Sequence, residues 1–491
     1  MPGPGHRVAD PSEDLLFAGV AALSRRLRAR ELSPVDLVKA CLARIEAIAP
    51  RLGCFVTVTA DRALADARQA ESEIGAGRWR GPLHGIPVGL KDVVDTKGIR
   101  TTLGARPFAD RVPDRDATVA ARLADAGAVL AGKLSTIELA GGLGYRSAAA
   151  ALNGPCRTPW DPERWAGGSS SGPAAAVAAG LVPFAIGTET WGSITCPSAF
   201  CGVTGFRPTY GVLSRSGVMP VAYTLDKLGP LCRSAEDCAL GVSVLGGADP
   251  RDAASIPPPP GLDRVRPEIA RGLRIGVLAF PDRKEALPGA REAFAAAQEV
   301  FRDAGAILAA TALPAFPYDE VAGLILEAEA ANAFEELVRS GRTRELADPS
   351  HRTRGQGDYL PRSTSADYVR AARIRGELQR ALARFFQQND LVLAVNLPFA
   401  PPRVDEPLSP LWEAPDPLGA AGNLAGLPAV ALPVGFASGF PVSAQLVGPA
   451  LEDGRVLAAA ALFQSRTSHH LQRPPAPGPP AGPPVAAVTA R

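Results

Sequence analysis

The chain has 491 residues, 46% hydrophobic and 21% charged, a composition that suits a large globular protein and excludes a mostly disordered or collagen-like one. Its 52 Lys and Arg against 50 Asp and Glu leave a net charge of +2, without the basic excess that phosphate-binding surfaces concentrate, so nucleic acid is not expected among its partners. No stretch of 18 apolar residues occurs, so no membrane-spanning helix is expected.

Residues 1–13 are rich in Gly and Pro and are expected to be flexible. Further on, Leu15, Leu16, Val20, Leu23 and Leu27, then Leu37, Val38, Cys41 and Ile45, recur at helical spacing, with Ser33 and Pro34 as N-cap and first-turn proline between them. Two helices are predicted over 14–48. Short apolar runs at 86–90, 128–130 and 182–186 then alternate with Ala-rich helical stretches at 118–126 and 173–179, which predicts an α/β fold layered around one central sheet. After a stiff proline loop at 257–260 come a strand at 273–279, a helix at 291–302, a polar surface loop at 340–364, a helix at 366–388 and a strand at 391–395. Residues 469–491 read as a disordered Pro/Ala-rich tail. The seven scattered cysteines form no CxxC pair and point to reduced thiols, a cytoplasmic location and no zinc.

The chemistry concentrates between Trp165 and Pro208. Gly167-Gly168-Ser169-Ser170-Ser171-Gly172 runs directly into an Ala-rich helix, where glycine lets the backbone approach another group closely and N–H groups are presented at a helix start. A phosphate loop needs Lys-Ser/Thr after its last glycine, and Pro173 follows Gly172 instead. Gly168 to Gly172 also fits the GxSxG pattern of a hydrolase nucleophile elbow, nominating Ser170, but residues 158–164 do not read as the strand that elbow requires. Of five histidines only His84 lies near a motif, which disfavours a Ser-His-Asp triad. A serine can instead be activated by a neutral amine. Lysine occurs at only six positions, and Lys91, closing the apolar run 83–90, fits a buried amine of lowered pKa; an ordinary lysine at a strand end is the alternative.

The motifs GLKDVVDTKG (89–98), AGGSSSG (166–172), IGTETWGS (186–193), FCGVTGFRPTYGVLSRSGVMP (200–220), LDKLGPL (225–231), NLAGLPAVALPVG (423–435) and PVSAQLVGP (441–449) stand in an order that resembles the amidase signature family, over about residues 14–465. The resemblance implies one α/β domain over 14–468, a large mixed central β-sheet covered by helices on both faces. Its catalytic core would span about 65–250 and a variable pocket segment about 270–415. It also implies a Ser-Ser-Lys triad with Lys91 as base, Ser169 as bridging serine after a cis peptide bond from Gly168, and Ser193 as nucleophile. Backbone N–H groups of Thr190, Trp191, Gly192 and Ser193 are expected to form the oxyanion hole. Gly141, Gly142, Leu143, Trp191 and Thr195 are expected to line the substrate pocket, and no cofactor or metal is implied. Three positions depart from the family's usual residues: Trp191 stands for glycine, Thr195 for arginine and Glu189 for aspartate.

These features predict a free-standing hydrolase of C–N acyl bonds, a monomer or homodimer whose partner is a small amide-type substrate. The lost arginine at Thr195 and an aromatic face from Trp191 favour neutral, apolar or aryl amides, with carbamates and esters open to the same acyl-enzyme route. One alternative is the glutamine-hydrolysing subunit of an aminoacyl-tRNA amidotransferase, disfavoured by Thr195, the near-neutral charge and the lack of a tRNA-directed feature. The other is a catalytically inactive binding protein, disfavoured by the joint presence of Lys91, Ser169 and Ser193.

Overall fold

The computed structural model describes residues 11–262, 265–408 and 417–475. Its strands are β1 (Phe55–Val58), β2 (Pro87–Lys91), β3 (Val129–Leu134), β4 (Arg157–Thr158), β5 (Asp161–Trp165), β6 (Phe184–Glu189), β7 (Thr204–Arg207), β8 (Lys227–Cys232), β9 (Arg274–Leu278), β10 (Ile307–Thr311), β11 (Leu391–Asn396), β12 (Ala429–Ala437) and β13 (Phe440–Val447). The helices are α1 (Pro11–Leu16), α2 (Val20–Arg28), α3 (Pro34–Leu52), α4 (Ala60–Gly75), α5 (Thr118–Asp125), α6 (Ser171–Ala178), α7 (Thr195–Cys201), α8 (Ala235–Leu245), α9 (Ala290–Asp303), α10 (Tyr318–Ala333), α11 (Glu335–Arg339), α12 (Ser350–Thr353), α13 (Ser365–Gln388), α14 (Pro417–Ala425) and α15 (Asp453–Arg466).

Eleven of these strands form one mixed sheet in the order β1-β3-β2-β6-β8-β7-β12-β13-β11-β9-β10, and β4 pairs with β5 alone. β2 is parallel to β3 and β6, and β9 is parallel to β10 and β11. Antiparallel pairs through β8, β7, β12 and β13 join the two blocks. Residues two apart in a strand share a face, and here both faces find a core. Phe184 and Ile186 of β6 pack with residues of α2, α5 and α8, whereas Ala185 between them packs with α6. Leu391 and Leu393 of β11 enter the first of these cores, while Val392 and Ala394 enter another built with α10, α13 and α14. A sheet covered on both faces has near-continuous apolar strands, which is how they read in the sequence. Helix α6 is buried on every side, and its sequence SGPAAAVA accordingly has no polar face.

Three local expectations need correction. Residues 11–52 hold three helices where two are expected over 14–48, because Gly19 takes an extended conformation and separates α1 from α2. Residues 161–165 do form a strand, in the isolated β4–β5 hairpin, where the edge position tolerates Pro162. Residues 340–364 are not surface throughout: Thr343, Asp348, His351 and Tyr359 are buried. There Asp348 accepts the N–H groups of Arg146 and Ser147 at 2.6 and 3.0 Å, so polar side chains that read as solvated are satisfied inside the fold. The chain stays attached as far as Arg473, which pairs with Asp14; the proline-rich end from 476 and residues 1–10 lie outside the described residues. No helix of the described residues is long and apolar enough to cross a membrane.

Candidate active site

The parallel strands β2 and β6 lie side by side, with Lys91 and Glu189 as their last residues. Open α/β sheets gather ligands at such carboxyl ends. Lys91 is fully buried, and its Nζ donates to Ser169 Oγ at 2.7 Å and to Thr188 Oγ1 at 2.8 Å. Burial pulls the Lys91 ammonium down to about 7, against an upward pull from the Asp226 and Glu189 carboxylates. Two further lysines are buried, with different partners. Lys133 lies 3.6 Å from the Asp92 carboxylate and donates to Thr101 Oγ1 at 2.6 Å, and Lys227 donates to the Leu225 carbonyl. Among the described residues, Lys91 alone of the lysines donates to serine.

Ser169 is buried at the mouth of α6, after a cis Gly168–Ser169 peptide bond. Its neighbour Ser170 donates its N–H to the Ser193 carbonyl at 3.1 Å and its hydroxyl to the Thr188 carbonyl at 3.0 Å. The serine loop is thereby tied to the turn carrying Ser193, which stands half-exposed between β6 and α7.

Glu189 shapes that turn. Its carboxylate accepts the N–H groups of Ile194 at 2.8 Å and Thr195 at 3.1 Å, and is held by Arg207 Nη1 at 2.6 Å and Asn423 Nδ2 at 3.0 Å. Burial alone would raise the Glu189 carboxyl, but Arg207 and these hydrogen bonds hold it at about 2. With two N–H groups of the turn so occupied, those of Trp191, Gly192 and Ser193 donate to no acceptor among the described residues. Gly192 sits at φ +78° with open space around it. Thr190 turns away, its Oγ1 donating to Asp226 at 2.6 Å.

The remaining expected residues converge only in part. Ile137 N–H donates to the Ser169 carbonyl at 3.3 Å, so the turn leading to Gly141, Gly142 and Leu143 begins at the serine loop. Gly142 lies against Phe334 and Val221, and Leu143 belongs to the same apolar cluster. Trp191 is half-buried against the core of α10, α13 and α14. Thr195 is buried, its Oγ1 turned to the Gly192 carbonyl at 3.5 Å, so it shapes the turn. His84 is engaged elsewhere: Nδ1 accepts Arg80 N–H at 3.2 Å and Nε2 lies 3.2 Å from Glu73. Thr188, Arg207, Asp226 and Asn423 were not singled out from the sequence. Each stands inside a motif quoted above, but their contacts join residues up to 234 positions apart, which no local spacing records. Beside the site, a cavity of about 200 Å³ is lined by Thr188, Thr190 and Asp226 and extends to the exposed Tyr223.

The Amidase family model matches residues 36–457. The chain is 38% identical to the A subunit of glutamyl-tRNA(Gln) amidotransferase from Chloroflexus aurantiacus over 481 residues, 93% of this chain and 98% of the relative. Native peptide amidase from Stenotrophomonas maltophilia superposes with a TM-score of 0.79 at 31% identity, covering 94% of this chain and 98% of that one. The A subunit of glutamyl-tRNA(Gln) amidotransferase from Thermotoga maritima superposes with a TM-score of 0.73 at 27% identity, covering 92% and 96%.

Two expectations are overturned. A free-standing hydrolase of neutral, apolar or aryl amides, carbamates or esters gives way to the amidotransferase-subunit reading, because that name attaches to a relative matched over nearly both full lengths. Thr195 is no guide to the substrate's charge, since a buried side chain turned onto Gly192 does not set the charge a ligand meets. The expectation of a monomer or homodimer with a small molecule as partner and no nucleic acid falls with it, the relative being named as part of a tRNA amidotransferase. The net charge of one chain does not report on a polyanion reached through another subunit.

Proposed function

We propose, on the premise that the chain belongs to the amidase family, that it is the amide-hydrolysing subunit of a cytoplasmic amidotransferase of the glutamyl-tRNA(Gln) type. It would cleave glutamine to glutamate and ammonia, with partner chains holding the tRNA that receives the nitrogen. The observation that carries the chemistry is a buried lysine amine, titrating at about 7, 2.7 Å from Ser169. A neutral amine has a lone pair and can take a proton from a hydroxyl.

In this reading Ser193 Oγ attacks the side-chain amide carbon, its proton passes to Ser169, and the proton of Ser169 passes to Lys91. The carbonyl oxygen becomes negative and is met by the N–H groups of Thr190, Trp191, Gly192 and Ser193; a single such donor is worth about 3 to 4 kcal/mol of barrier. The relay then runs in reverse, the amide nitrogen is protonated, the C–N bond breaks and ammonia leaves an ester on Ser193. Water attacks that ester through the same relay, releasing the carboxylate and restoring Ser193. Gly141, Gly142, Leu143 and Trp191 would border the substrate.

The test is ammonia release from glutamine by the chain alone and with the partner subunits of a glutamyl-tRNA(Gln) amidotransferase, in the presence of glutamate-charged tRNA. Hydrolysis that requires Ser193 and rises in the complex is expected. If glutamine is inert in both settings while a peptide carboxamide is cleaved by the chain alone, the reading is wrong.

A further inference from the structure

We infer that Asp226 is a positioning residue of this centre, holding the oxyanion loop through Thr190 and setting the electrostatic surroundings of Lys91. The inference rests on the proposed roles of Lys91 and of the 190–193 loop. Asp226 directly precedes β8 and lies at the wall of the cavity beside Thr188. Its carboxylate is oriented by its own loop: Oδ2 accepts Val221 N–H at 2.7 Å and Ala222 N–H at 3.1 Å. Oδ1 shares the Ala222 N–H at 3.2 Å and accepts the Thr190 hydroxyl at 2.6 Å. Thr190 is the first residue after β6 and the first of the loop that turns to Ser193, so the bond fixes where that loop leaves the sheet.

The charge of Asp226 also bears on Lys91. Two carboxylates act on the lysine, Asp226 and Glu189. Glu189 is neutralised by Arg207 at 2.6 Å, whereas no Lys or Arg of the described residues forms an ion pair with Asp226. Lys227, next in the chain, acts on both carboxylates, but burial pulls its own ammonium well below the usual range. Asp226, whose carboxyl burial pushes up, has its charged form favoured by hydrogen bonds from Thr190, Val221 and Ala222 rather than by an ion pair. It opposes the desolvation that favours the neutral amine, so removing its charge lowers the pH at which Lys91 loses its proton.

The experiment compares kcat and the pH profile of kcat/KM for the wild type, Asp226→Asn and Thr190→Val in the assembled complex. Asp226→Asn, which removes the charge at the same shape and leaves one oxygen for donors that now share two, should move the midpoint of the acid limb to lower pH by about half a unit or more. Thr190→Val, which cuts the tether and keeps the carboxylate, should lower kcat about tenfold or more and move the midpoint less than Asp226→Asn does. A wild-type midpoint in Asp226→Asn, or a wild-type kcat in Thr190→Val, overturns the inference. If Asp226→Asn does not fold, as judged by circular dichroism and melting, Thr190→Val decides alone. A wild type without an acid limb would sink the lysine assignment itself, which keeps the two failures apart.

Discussion

An ammonium taken out of water must either find a counter-charge or give up its proton, and Lys91, partnered by hydroxyls, titrates at about 7. Below that value the amine is protonated and cannot accept from Ser169. The rate should therefore fall as pH drops through about 7 and level off above it, and a profile that rises toward pH 5 would contradict the lysine base. The same shift acts on stability. Between the folded value of about 7 and the ordinary lysine value of 10.5 the unfolded chain binds more protons, so this group's contribution favours folding increasingly as pH rises through that window. Lys91→Met, of similar length and no charge, should melt higher than the wild type near pH 7, with the difference shrinking toward pH 10.5; an advantage that grows with pH would refute the sign. In catalysis Ser193→Ala should lose all acyl-enzyme turnover, a fall of about 10⁴-fold or more in kcat. Lys91→Ala should cost several orders of magnitude, and Ser169→Ala should retain the most, since a water can partly stand in for a bridging hydroxyl.

Helix α6 shows how tightly an element must seat to place a side chain. Alanine is about 1 kcal/mol better than glycine in an ordinary helix. At Gly172, however, a Cβ would lie 2.3 Å from Ser135 N and 2.6 Å from the Cys54 carbonyl, both backbone atoms that cannot swing aside. Gly172→Ala should thus destabilise the protein by about 1 to 3 kcal/mol in urea denaturation and slow hydrolysis, because Ser169 and Ser170 shift with the helix start. Elements with a strong local period were legible in the sequence: α13 runs Ser365–Gln388 against an expected 366–388, and β2 ends on the lysine singled out. What escaped depends on distant partners. A strand such as β5 takes its conformation from β4 and breaks the usual pattern with Pro162, and the polar stretch at 340–364 buries Thr343, Asp348, His351 and Tyr359 where Glu138 and Asp348 satisfy its backbone. At the site the same division holds. Lys91, Ser169 and Ser193 stand in short motifs, whereas Arg207, Asp226 and Asn423 matter through contacts that only the folded chain creates.

In the whole molecule, the two halves of the sheet meet where β7 pairs with β12, Arg207 opposite Ala429 and Gly205 opposite Ala431. Arg207 also donates to the Leu427 carbonyl at 3.2 Å, and Asn423 supports Glu189 from the same late segment. A chain cut near residue 260 keeps Lys91, Ser169 and Ser193 but loses these braces and leaves β7 an open edge, which invites association. It should neither hydrolyse amides nor label at Ser193 with a fluorophosphonate, and labelling at the full-length rate would show the N-terminal part to be self-sufficient. The brace also carries a clock. Asn423 is made 234 residues after Glu189, a delay on the order of ten to fifty seconds at the pace of translation. Through nearly all of that interval Lys91, Ser169 and Ser193 are already synthesised while the Glu189 turn lacks its Asn423 contact. On the proposed function, activity is thus tied to near-completion of synthesis, and a ribosome stalled midway should leave an inert fragment rather than an unsupervised hydrolase.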